Sequence, residues 1–435
     1  MPAAVNLPDQ ADLQARFDDA CRRHRVPGAV IGVQHGDQVV TAVHGVGNVA
    51  TGEPMTLHTV AQVASVSKLF TAATLHGLLT EHGIDVDTSV NTLVPELAAL
   101  TDGITVRRLL DHTSGLQGDL WDDFGANGDA VARFTAALPG IGSISEPGEL
   151  LSYCNTGYVA LGRLVEVLGG GAFDRVVDAR IVHPLGLTHT ALRLADAVRH
   201  RLAMGHDLGA DGTLRVSPYI SMRCLGPTGG VLSTVPDLLR FARALPPAMF
   251  TRSSTNPEPW TAGPGWCLGM TDCTGADGEF VAGHDGLWVG AGAYVRVVPG
   301  REVVIAMTGA AGHARTVWQE VSAELLIGLG LQPVPQPPTD PAWAPHPARY
   351  VGTYRRLSQD VTVELHEGEL MMTSVPTGAI AALSSPTTVR LQPRVADVFV
   401  ARAGSGVDLP VVFLGQGEQA TYLHTGMRVA RREDT

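Results

Sequence analysis

The sequence predicts an α+β protein followed by a smaller all-β domain, and three observations support this prediction. Strand-like runs stand near the beginning of the chain and again at residues 292–309, with mostly helical patterns between them. A proline-rich segment follows at residues 331–347. Beyond it the helical periodicity ends, and short alternating runs recur about every ten residues, as in barrels and sandwiches.

Residues 1–330 form the larger predicted domain, in which strands at both ends close one sheet beside a helical insertion. An N-terminal helix precedes two strands that are joined by a Gly36-Asp37 turn. A helix rich in leucine and alanine then begins at Ser65 and ends at Gly83. Later helices and strands are predicted at TVRRLLDH, NTGYVALGRLVEVLGG, AFDRVVDARI, VPDLLRFARAL, GAYVRVVP, REVVIAMTG and ARTVWQEVSAELLIGL.

Residues 331–347 contain too much proline for a helix or a central strand, so they are predicted to be a semi-rigid linker. The remaining residues, 348–435, are predicted to form the all-β domain. Its strands are expected at GTYRR, VTVEL, LMMTSV, TVRLQP, DVFVAR, LPVVFLG and ATYLHTG.

The composition describes a well-buried globular protein, because 45% of the residues are apolar and 17% are charged. The net charge of −12 argues against nucleic acid or an anionic membrane as a partner. The N-terminal residues lack the basic and apolar regions of a signal peptide, and no apolar run reaches the length of a membrane span. Five scattered cysteines without zinc-type spacing fit reduced thiols. A cytoplasmic location is therefore expected.

Of the 31 lysines and arginines, Lys68 is the only lysine. Arginine stays protonated at any usable pH, whereas a buried lysine can lose its proton and act as a base. Ser65 lies three residues earlier, on the same face of the predicted helix and at its beginning. An accidental spacing with a surface lysine is the alternative, but the apolar flanks place this helix in the core. The spacing therefore favours a nucleophilic serine with a lysine base.

Two further segments carry candidate functional side chains. Tyr153 and Asn155 precede a predicted helix, and His284 stands beside glycines before a predicted strand pair. A tyrosine near a lysine can relay a proton to a leaving group, and an asparagine can orient the lysine and bind a substrate amide. A histidine at a strand edge can contact substrate, while the strand backbone supplies an oxyanion donor.

The order Ser-x-x-Lys, Tyr-x-Asn and His-x-Gly resembles that of the superfamily of penicillin-binding proteins and class C β-lactamases. The resemblance covers residues 10–330 and implies a β-lactamase-like antiparallel sheet flanked by helices, with an all-helical subdomain. The segment that begins ARYVGTYRR is similar to the lipocalin-like barrel that many members carry at their C-terminus. Segments typical of the esterase and peptidase branch are ITVRRLLDHTSGL, EPGELLSYCNTGYVALGRLVE, RIVHPLGLTHT and GPTGGVLSTVPDLLRFARAL.

The resemblance implies a role for each matching residue. Ser65 is expected to be the acylated nucleophile and Lys68 its proton acceptor, with Tyr153 as the partner acid or base. Asn155 is expected to orient Lys68 and the substrate amide. His284 stands where β-lactamases have the lysine that binds the antibiotic carboxylate, which argues against efficient β-lactam turnover.

The same resemblance places the oxyanion hole at the backbone N–H groups of Ser65 and Leu287, with Leu287 just after a turn that contains Gly286. Arg428, late in the β domain, is a candidate partner for a substrate carboxylate. No metal ligand is expected among these residues.

These residues predict a serine acyl enzyme that acts on peptide-type amides, esters or thioesters through an acyl-Ser65 intermediate, without a metal or organic cofactor. With water as acceptor, it would be an esterase, a peptidase for D-configured residues or a weak β-lactamase. With the substrate's own amine, it would be a cyclising thioesterase that releases a nonribosomal peptide from a peptidyl carrier protein. The third alternative is a binding or sensor protein that is acylated without turnover. The expected partner is a small-molecule or peptidyl substrate, with neither nucleic acid nor a membrane.

Overall fold

The computed structural model describes residues 7–209, 211–382, 384–402 and 408–433 of the 435-residue chain. Within these residues, helices and antiparallel sheets form the first part of the chain, and a closed barrel forms the last part. The predicted α+β class with a C-terminal all-β barrel is therefore confirmed.

The α-helices of the described residues lie before the barrel. They are α1 Gln10–Arg23, α2 Ser67–His82, α3 Val106–Leu110, α4 Ala130–Ala137, α5 Asn155–Gly169, α6 Phe173–Val177, α7 Leu194–Ala197, α8 Gly226–Gly229, α9 Val235–Arg243, α10 Pro259–Ala262 and α11 Arg315–Gly328.

The strands before the barrel form one large sheet and two short ribbons. They are β1 Gly28–His35, β2 Gln38–Asn48, β3 Glu53–Pro54, β4 Ala61–Gln62, β5 His206–Leu208, β6 Leu214–Val216, β7 Leu232–Ser233, β8 Arg252–Thr255, β9 Gly265–Cys267, β10 Thr271–Asp272, β11 Ala282–Trp288, β12 Ala291–Val298 and β13 Val303–Gly309. The barrel strands are β14 Gly352–Arg356, β15 Gln359–His366, β16 Glu369–Pro376, β17 Thr387–Val395, β18 Val398–Arg402, β19 Asp408–Leu414, β20 Tyr422–Thr425 and β21 Arg428–Arg432.

The large sheet has the strand order β3-β2-β1-β13-β12-β11-β10-β9-β8. Strand β1 pairs antiparallel with β13, with Ala29 opposite Gly309 and His35 opposite Val303. Strands from the two ends of this part of the chain are thus neighbours, which confirms the predicted closure of the sheet.

Helices cover both faces of the large sheet, and the alternation of side chains along β1 shows how. Ile31 and Val33 pack in one hydrophobic cluster with Phe17 of α1 and Trp318 of α11. Val30 points the other way, into the cluster that contains α2 and α5. Because both faces are covered, β1 is buried along almost its whole length.

The helix predicted to run from Ser65 to Gly83 is present, with a difference at its beginning. Residues Ala64–Val66 form one turn of 3₁₀-helix, and α2 itself begins at Ser67. Gly83 ends the helix with φ 63°, a left-handed conformation that a residue without Cβ adopts at no steric cost. Ser65 therefore lies in the turn that leads into α2, and Lys68 lies in the first turn of α2.

The turn predicted at Gly286 is wrong, because residues 282–288 form strand β11, which pairs with β12. Gly283 and Gly286 are needed in this strand because neighbouring backbone leaves no space for a side chain. A Cβ atom at Gly283 would collide with the carbonyl of Val295, and one at Gly286 with that of Val63. Strands β8 to β10 were also absent from the prediction, since they have only two to four residues each and show no alternation.

The barrel consists of eight antiparallel strands, and it closes where β14 pairs with β21. Its interior is filled by side chains that include Tyr354, Phe399 and Phe413, as expected for a barrel of this size. Residues 331–346, before the barrel, contain neither helix nor strand. Among the described residues, no helix combines the length and hydropathy needed to cross a membrane.

Candidate active site

Ser65 lies in a turn whose backbone is strained and closely packed. Its neighbour Ala64 has φ 46°, in the left-handed region that residues with a Cβ occupy only at a cost in energy. Gly286 of β11 packs so closely against this turn that a Cβ atom there would lie 3.0 Å from the Ser65 nitrogen. The strand therefore holds the Ser65 turn in place.

The amine of Lys68 contacts three oxygen atoms. Nζ lies 2.7 Å from Oδ1 of Asn155 and 3.0 Å from the carbonyl oxygen of Thr228. It also lies 3.1 Å from Oγ of Ser65. The Asn155 and Thr228 oxygens can only accept hydrogens, so a neutral amine directs its two hydrogens to them. Its lone pair then faces the Ser65 hydroxyl, which donates to it.

The surroundings of Lys68 favour this neutral form. The side chain is fully buried, and burial is the main reason why the pKa of Lys68 lies well below its usual value of 10.5. The positive charge of Arg428 lowers this pKa further. The ring centres of Tyr153 and Tyr158 lie 4.9 and 5.5 Å from Nζ and help to enclose it. Lys68 can therefore accept a proton, which an arginine at this position could not do.

Asn155, at the start of α5, is held in one orientation. Its Nδ2 donates to Oδ1 of Asp119 at 2.6 Å. Its Oδ1 accepts from Lys68 and, at 2.7 Å, from Oγ1 of Thr228. Because the Asp119 carboxylate only accepts, the amide cannot be reversed without losing these bonds. Asn155 thus fixes the position of the Lys68 amine.

Arg428, in strand β21 of the barrel, reaches the same network. Its Nε donates to Oδ2 of Asp119 at 2.7 Å, and its guanidinium lies 4.7 Å from the centre of the Tyr153 ring. Nη1 donates to the carbonyl of Gly426 at 3.3 Å, while Nη2 has no hydrogen-bond partner among the described residues. The barrel therefore contributes a cation to the active site.

Tyr153 lies between Ser65 and the barrel. Its ring centre is 6.1 Å from that of His284. Burial raises the pKa of the Tyr153 phenol, and the opposing effects of the Ser65 hydroxyl and the Arg428 charge do not cancel this shift. The phenol is therefore protonated at neutral pH and can donate a hydrogen.

His284 is neutral, and one of its ring nitrogens carries no hydrogen. Its Nδ1 lies 2.8 Å from the carbonyl oxygen of Asp285, so Nδ1 carries the hydrogen and Nε2 is an acceptor. Burial lowers the pKa of His284 to about 3, and Nε2 is buried without a partner among the described residues. A neutral imidazole cannot supply the positive charge that an antibiotic carboxylate needs, in agreement with the argument from sequence.

The predicted oxyanion donors lie on the same side of the site. Within the described residues, β10 pairs with Ala282 and Gly283 of β11, so the rest of β11 has an open edge on that side. Leu287 lies on this part of β11 and lines a cleft together with Ser65. The N–H groups of a first helical turn also lack intrahelical acceptors. The structure therefore brings both predicted donors to one cleft.

The cleft beside Ser65 has a volume of about 340 Å³, and most of its lining side chains are apolar. Trp121 and Trp288 line it with ring centres 5.4 Å apart. Ile380 of the barrel domain also lines it, and Arg428 is its charged residue. Both domains therefore shape the space in which a substrate would lie.

Other polar residues near the nucleophile support the backbone. Nδ1 of His112 accepts from the Cys154 N–H at 3.0 Å, and Oγ of Ser67 accepts from the Val231 N–H at 3.0 Å. Cys154 caps α5, because its Sγ accepts from the Gly157 N–H at 3.2 Å. All five cysteines are buried and unpaired.

The sequence analysis did not identify Asp119 or Thr228, which complete the network around Lys68 and Asn155. Neither residue lies at a motif spacing that would identify it in the sequence as part of the site. Placing Arg428 at the site implied a carboxylate partner there, but it did not indicate which acidic residue that partner is.

Comparison with known proteins agrees with this geometry. The Beta-lactamase family model matches residues 13–316. Penicillin-binding protein 4 of Amycolatopsis lactamdurans is 34% identical over 381 residues, which cover 80% of this chain and 98% of that protein. Esterase EstB of Burkholderia gladioli is 31% identical over 212 residues, which cover 43% of this chain and 53% of that protein.

Solved structures show the same architecture. SurE superposes with a TM-score of 0.81 at 27% identity, over 98% of this chain and 99% of that chain. The octameric penicillin-binding protein homologue from Pyrococcus abyssi has a TM-score of 0.65 at 22% identity, over 97% of this chain and 100% of that chain, and therefore shows the fold alone. Because the family model covers more than half of the residues, the chain belongs to the beta-lactamase family.

Proposed function

We propose that this protein is a serine acyl-transfer enzyme in which Ser65 takes the acyl group from a peptide-type amide, ester or thioester. The observation that carries the proposal is the buried Lys68 amine, which lies 3.1 Å from Oγ of Ser65 and has two other oxygen atoms to accept its hydrogens. Relatives among penicillin-binding proteins and esterases support the same class of reaction.

Acylation begins when Oγ of Ser65 attacks the substrate carbonyl carbon and Lys68 accepts the hydroxyl proton. The carbonyl oxygen becomes an oxyanion, which the backbone N–H groups of Ser65 and Leu287 stabilise. These donors are fixed before substrate arrives, because Gly286 locks the strand against the Ser65 turn.

Collapse of the tetrahedral intermediate breaks the bond to the leaving group, which must take up a proton. The protonated Tyr153 phenol supplies it, and the proton on Lys68 then restores the phenol. Lys68 and Tyr153 are neighbours, since the Lys68 nitrogen lies 4.9 Å from the centre of the Tyr153 ring. The acyl group remains on Ser65 as an ester.

Release of the acyl group needs an acceptor with an N–H or O–H group. The bare Nε2 of His284 can accept a hydrogen bond from this acceptor, because it is a buried nitrogen without another partner among the described residues. Water gives a linear acid, and an amine of the substrate gives a ring.

The cleft indicates the chemistry of the substrate. Its tryptophans suit apolar side chains, and Nη2 of Arg428 is available for a carboxylate. SurE, which is similar over nearly the whole chain, also has a structure with D-Leu, an apolar amino acid with a free carboxylate. We therefore propose peptide-type substrates with an apolar, D-configured residue near the reacting bond.

The alternative acceptor, an amine of the same substrate, is favoured by the apolar lining next to Ser65, which offers few partners to an ordered water. In that case the protein would release a carrier-bound peptide as a ring, and a peptidyl carrier protein would be its partner. A protein that is acylated without turnover would instead keep the adduct.

Mass spectrometry of the intact protein tests the proposal. The protein is exposed to an activated ester, a peptidyl thioester and a penicillin, and both protein and products are analysed. We expect an acyl adduct on the wild type but not on Ser65→Ala. Ser221 also lines the cleft, so Ser221→Ala is the control and should still form the adduct. A linear acid, a ring or a persistent adduct identifies the acceptor. If none of the donors yields an adduct or a product, the proposal is wrong.

A further inference from the structure

The turn between β20 and β21, residues His424–Val429, contacts the segment that carries Tyr153. We name this turn the docking hairpin. It binds three consecutive residues, Leu151 to Tyr153. Nε2 of His424 donates to the carbonyl of Leu151 at 3.0 Å, and the Val429 N–H donates to Oγ of Ser152 at 3.2 Å. The Tyr153 N–H donates to the carbonyl of Met427 at 2.7 Å.

His424 is the centre of this contact, and its hydrogen bonds define its protonation. The Leu151 carbonyl only accepts, so Nε2 carries a hydrogen. Nδ1 lies 2.9 Å from Oε2 of Glu258. That carboxylate also accepts from the Met427 N–H at 3.2 Å and from the Thr261 hydroxyl. Glu258 therefore joins the His424 ring to the backbone of Met427 in the docking hairpin.

The His424–Glu258 pair is fully buried, with both side chains at 0% exposure. Removing either partner would leave a buried polar group without its hydrogen bond, so the pair is a rigid attachment. The docking hairpin also carries Arg428, so this turn brings a barrel side chain to the cleft beside Ser65.

We propose that His424 is a positioning residue of the active site, which holds the docking hairpin between Glu258 and Leu151 and thereby places the Tyr153 phenol next to Ser65. The proposal rests on the proposed acyl transfer, in which Tyr153 moves a proton. Met427 of the hairpin adds side-chain packing, since it contacts the cluster that contains Tyr153. A displaced hairpin would shift Tyr153 together with Arg428, which lines the cleft, but a small acetyl ester has no carboxylate for Arg428 to bind.

The test compares His424→Ala with wild type and with Leu391→Ala, a change in the barrel core outside the docking hairpin. Turnover of a small acetyl ester and deuterium uptake of residues 150–158 are measured. For His424→Ala we expect kcat to fall by about 100-fold, the cost of an ångström-scale misplacement, with KM within about twofold. Deuterium uptake at Tyr153 should rise. Leu391→Ala should lower Tm and keep kcat.

His424→Gln provides the second variant, because its amide can still donate to Leu151. We expect its kcat to lie below that of wild type by less than 100-fold, and its deuterium uptake at Tyr153 to rise less than in His424→Ala. This variant also serves as the test if His424→Ala does not fold. If the variants keep kcat and the uptake of wild type, or raise KM alone, the inference is wrong. If the wild type itself does not acylate Ser65, the proposed function fails, and the exchange data still decide whether His424 holds Tyr153.

Discussion

Lys68 donates to Oδ1 of Asn155 across 2.7 Å, although the two residues are 87 positions apart in the chain. This hydrogen bond, with the one to the Thr228 carbonyl, takes both hydrogens of a neutral amine. The direction of the lone pair toward Ser65 is thus a consequence of two acceptors that belong to other elements.

Lys68→Arg should abolish the base, because it replaces a neutral amine by a permanent cation. A guanidinium does not accept a proton, so acylation of Ser65 by an activated ester should slow by about 10²–10⁴-fold, the usual contribution of a general base. The rate is measured by stopped-flow release of the leaving group, and the circular dichroism spectrum shows whether the variant is folded. A folded variant that acylates at the wild-type rate would refute the assignment of Lys68.

The burial of Lys68 also predicts how stability depends on pH. In the unfolded chain its pKa is about 10.4, while in the folded protein burial holds the pKa well below the usual value. Between these two values the unfolded state binds one more proton, so folding releases it and stability rises with pH. Relative to Lys68→Met, the wild type should gain about 1.4 kcal/mol in free energy of unfolding per pH unit in this window.

Urea unfolding of both proteins at pH 7, 8 and 9 measures this difference. All other titratable groups are shared, so their effects cancel to first order in the comparison. A difference between the two proteins that stays constant with pH would mean that Lys68 is protonated in the folded state.

Asp119 and Arg428 should act on Lys68 in opposite directions. The Arg428 charge lowers the pKa of Lys68, whereas the Asp119 charge raises it. Activity is lost as the pH falls through this pKa. Arg428→Gln should therefore move the acidic limb of the pH–rate profile to higher pH, and Asp119→Asn should move it to lower pH. In a double-mutant cycle the pair should show a coupling of about 0.5–3 kcal/mol.

Profiles of acylation rate against pH, recorded with a small acetyl ester, measure both shifts. Arg252→Gln, which breaks a distant arginine–aspartate pair, serves as the control and should leave the limb unchanged. Shifts of the same sign in the two active-site variants would contradict the electrostatic argument.

The parts of the site that lie close in sequence could be predicted, and those joined by the fold could not. Ser65 and Lys68 follow from helical spacing and from the absence of any other lysine. Asp119 and Arg428 are 309 positions apart, and nothing in either segment indicates the other. The barrel was predictable from its alternating pattern, but its attachment through the buried His424–Glu258 pair was not.

Local residue preferences also misled the prediction at β11. Glycine and aspartate favour turns, yet Gly286 lies in a strand because only a residue without Cβ fits against Val63 and the Ser65 nitrogen. The need for glycine at this position becomes clear only once the Ser65 turn is seen packed against β11.

Gly286→Ala should therefore disrupt the site, whereas Gly77→Ala should not. The added Cβ at position 286 would push the Ser65 turn away from β11, so acylation should fall strongly. Gly77 is an exposed residue of α2 with nothing near its missing Cβ. Its replacement should raise the free energy of unfolding by about 0.5–1 kcal/mol through helix propensity and leave acylation unchanged. Both predictions are tested by measuring the acylation rate and the urea unfolding of each variant. A Gly286→Ala variant that acylates at the wild-type rate would contradict the packing argument.

The two tryptophans of the cleft should determine affinity for the acyl donor and leave the chemical step intact. Trp288 is held by a hydrogen bond from Nε1 to the carbonyl of Ile220 at 3.0 Å, so its ring is a fixed wall beside Trp121. An apolar acyl chain on this wall gains about 1.5–3 kcal/mol from burial, which corresponds to a factor of about 10–100. Trp288→Ala should therefore raise KM for an ester with a long apolar chain by about that factor. Its kcat with an acetyl ester should stay near wild type, because acetyl does not reach the ring.

Trp343→Ala, which removes a ring that packs against Phe399 in the barrel, should change neither constant. An unchanged KM for the apolar donor in Trp288→Ala would place the acyl chain elsewhere and remove the basis for the proposed substrate class.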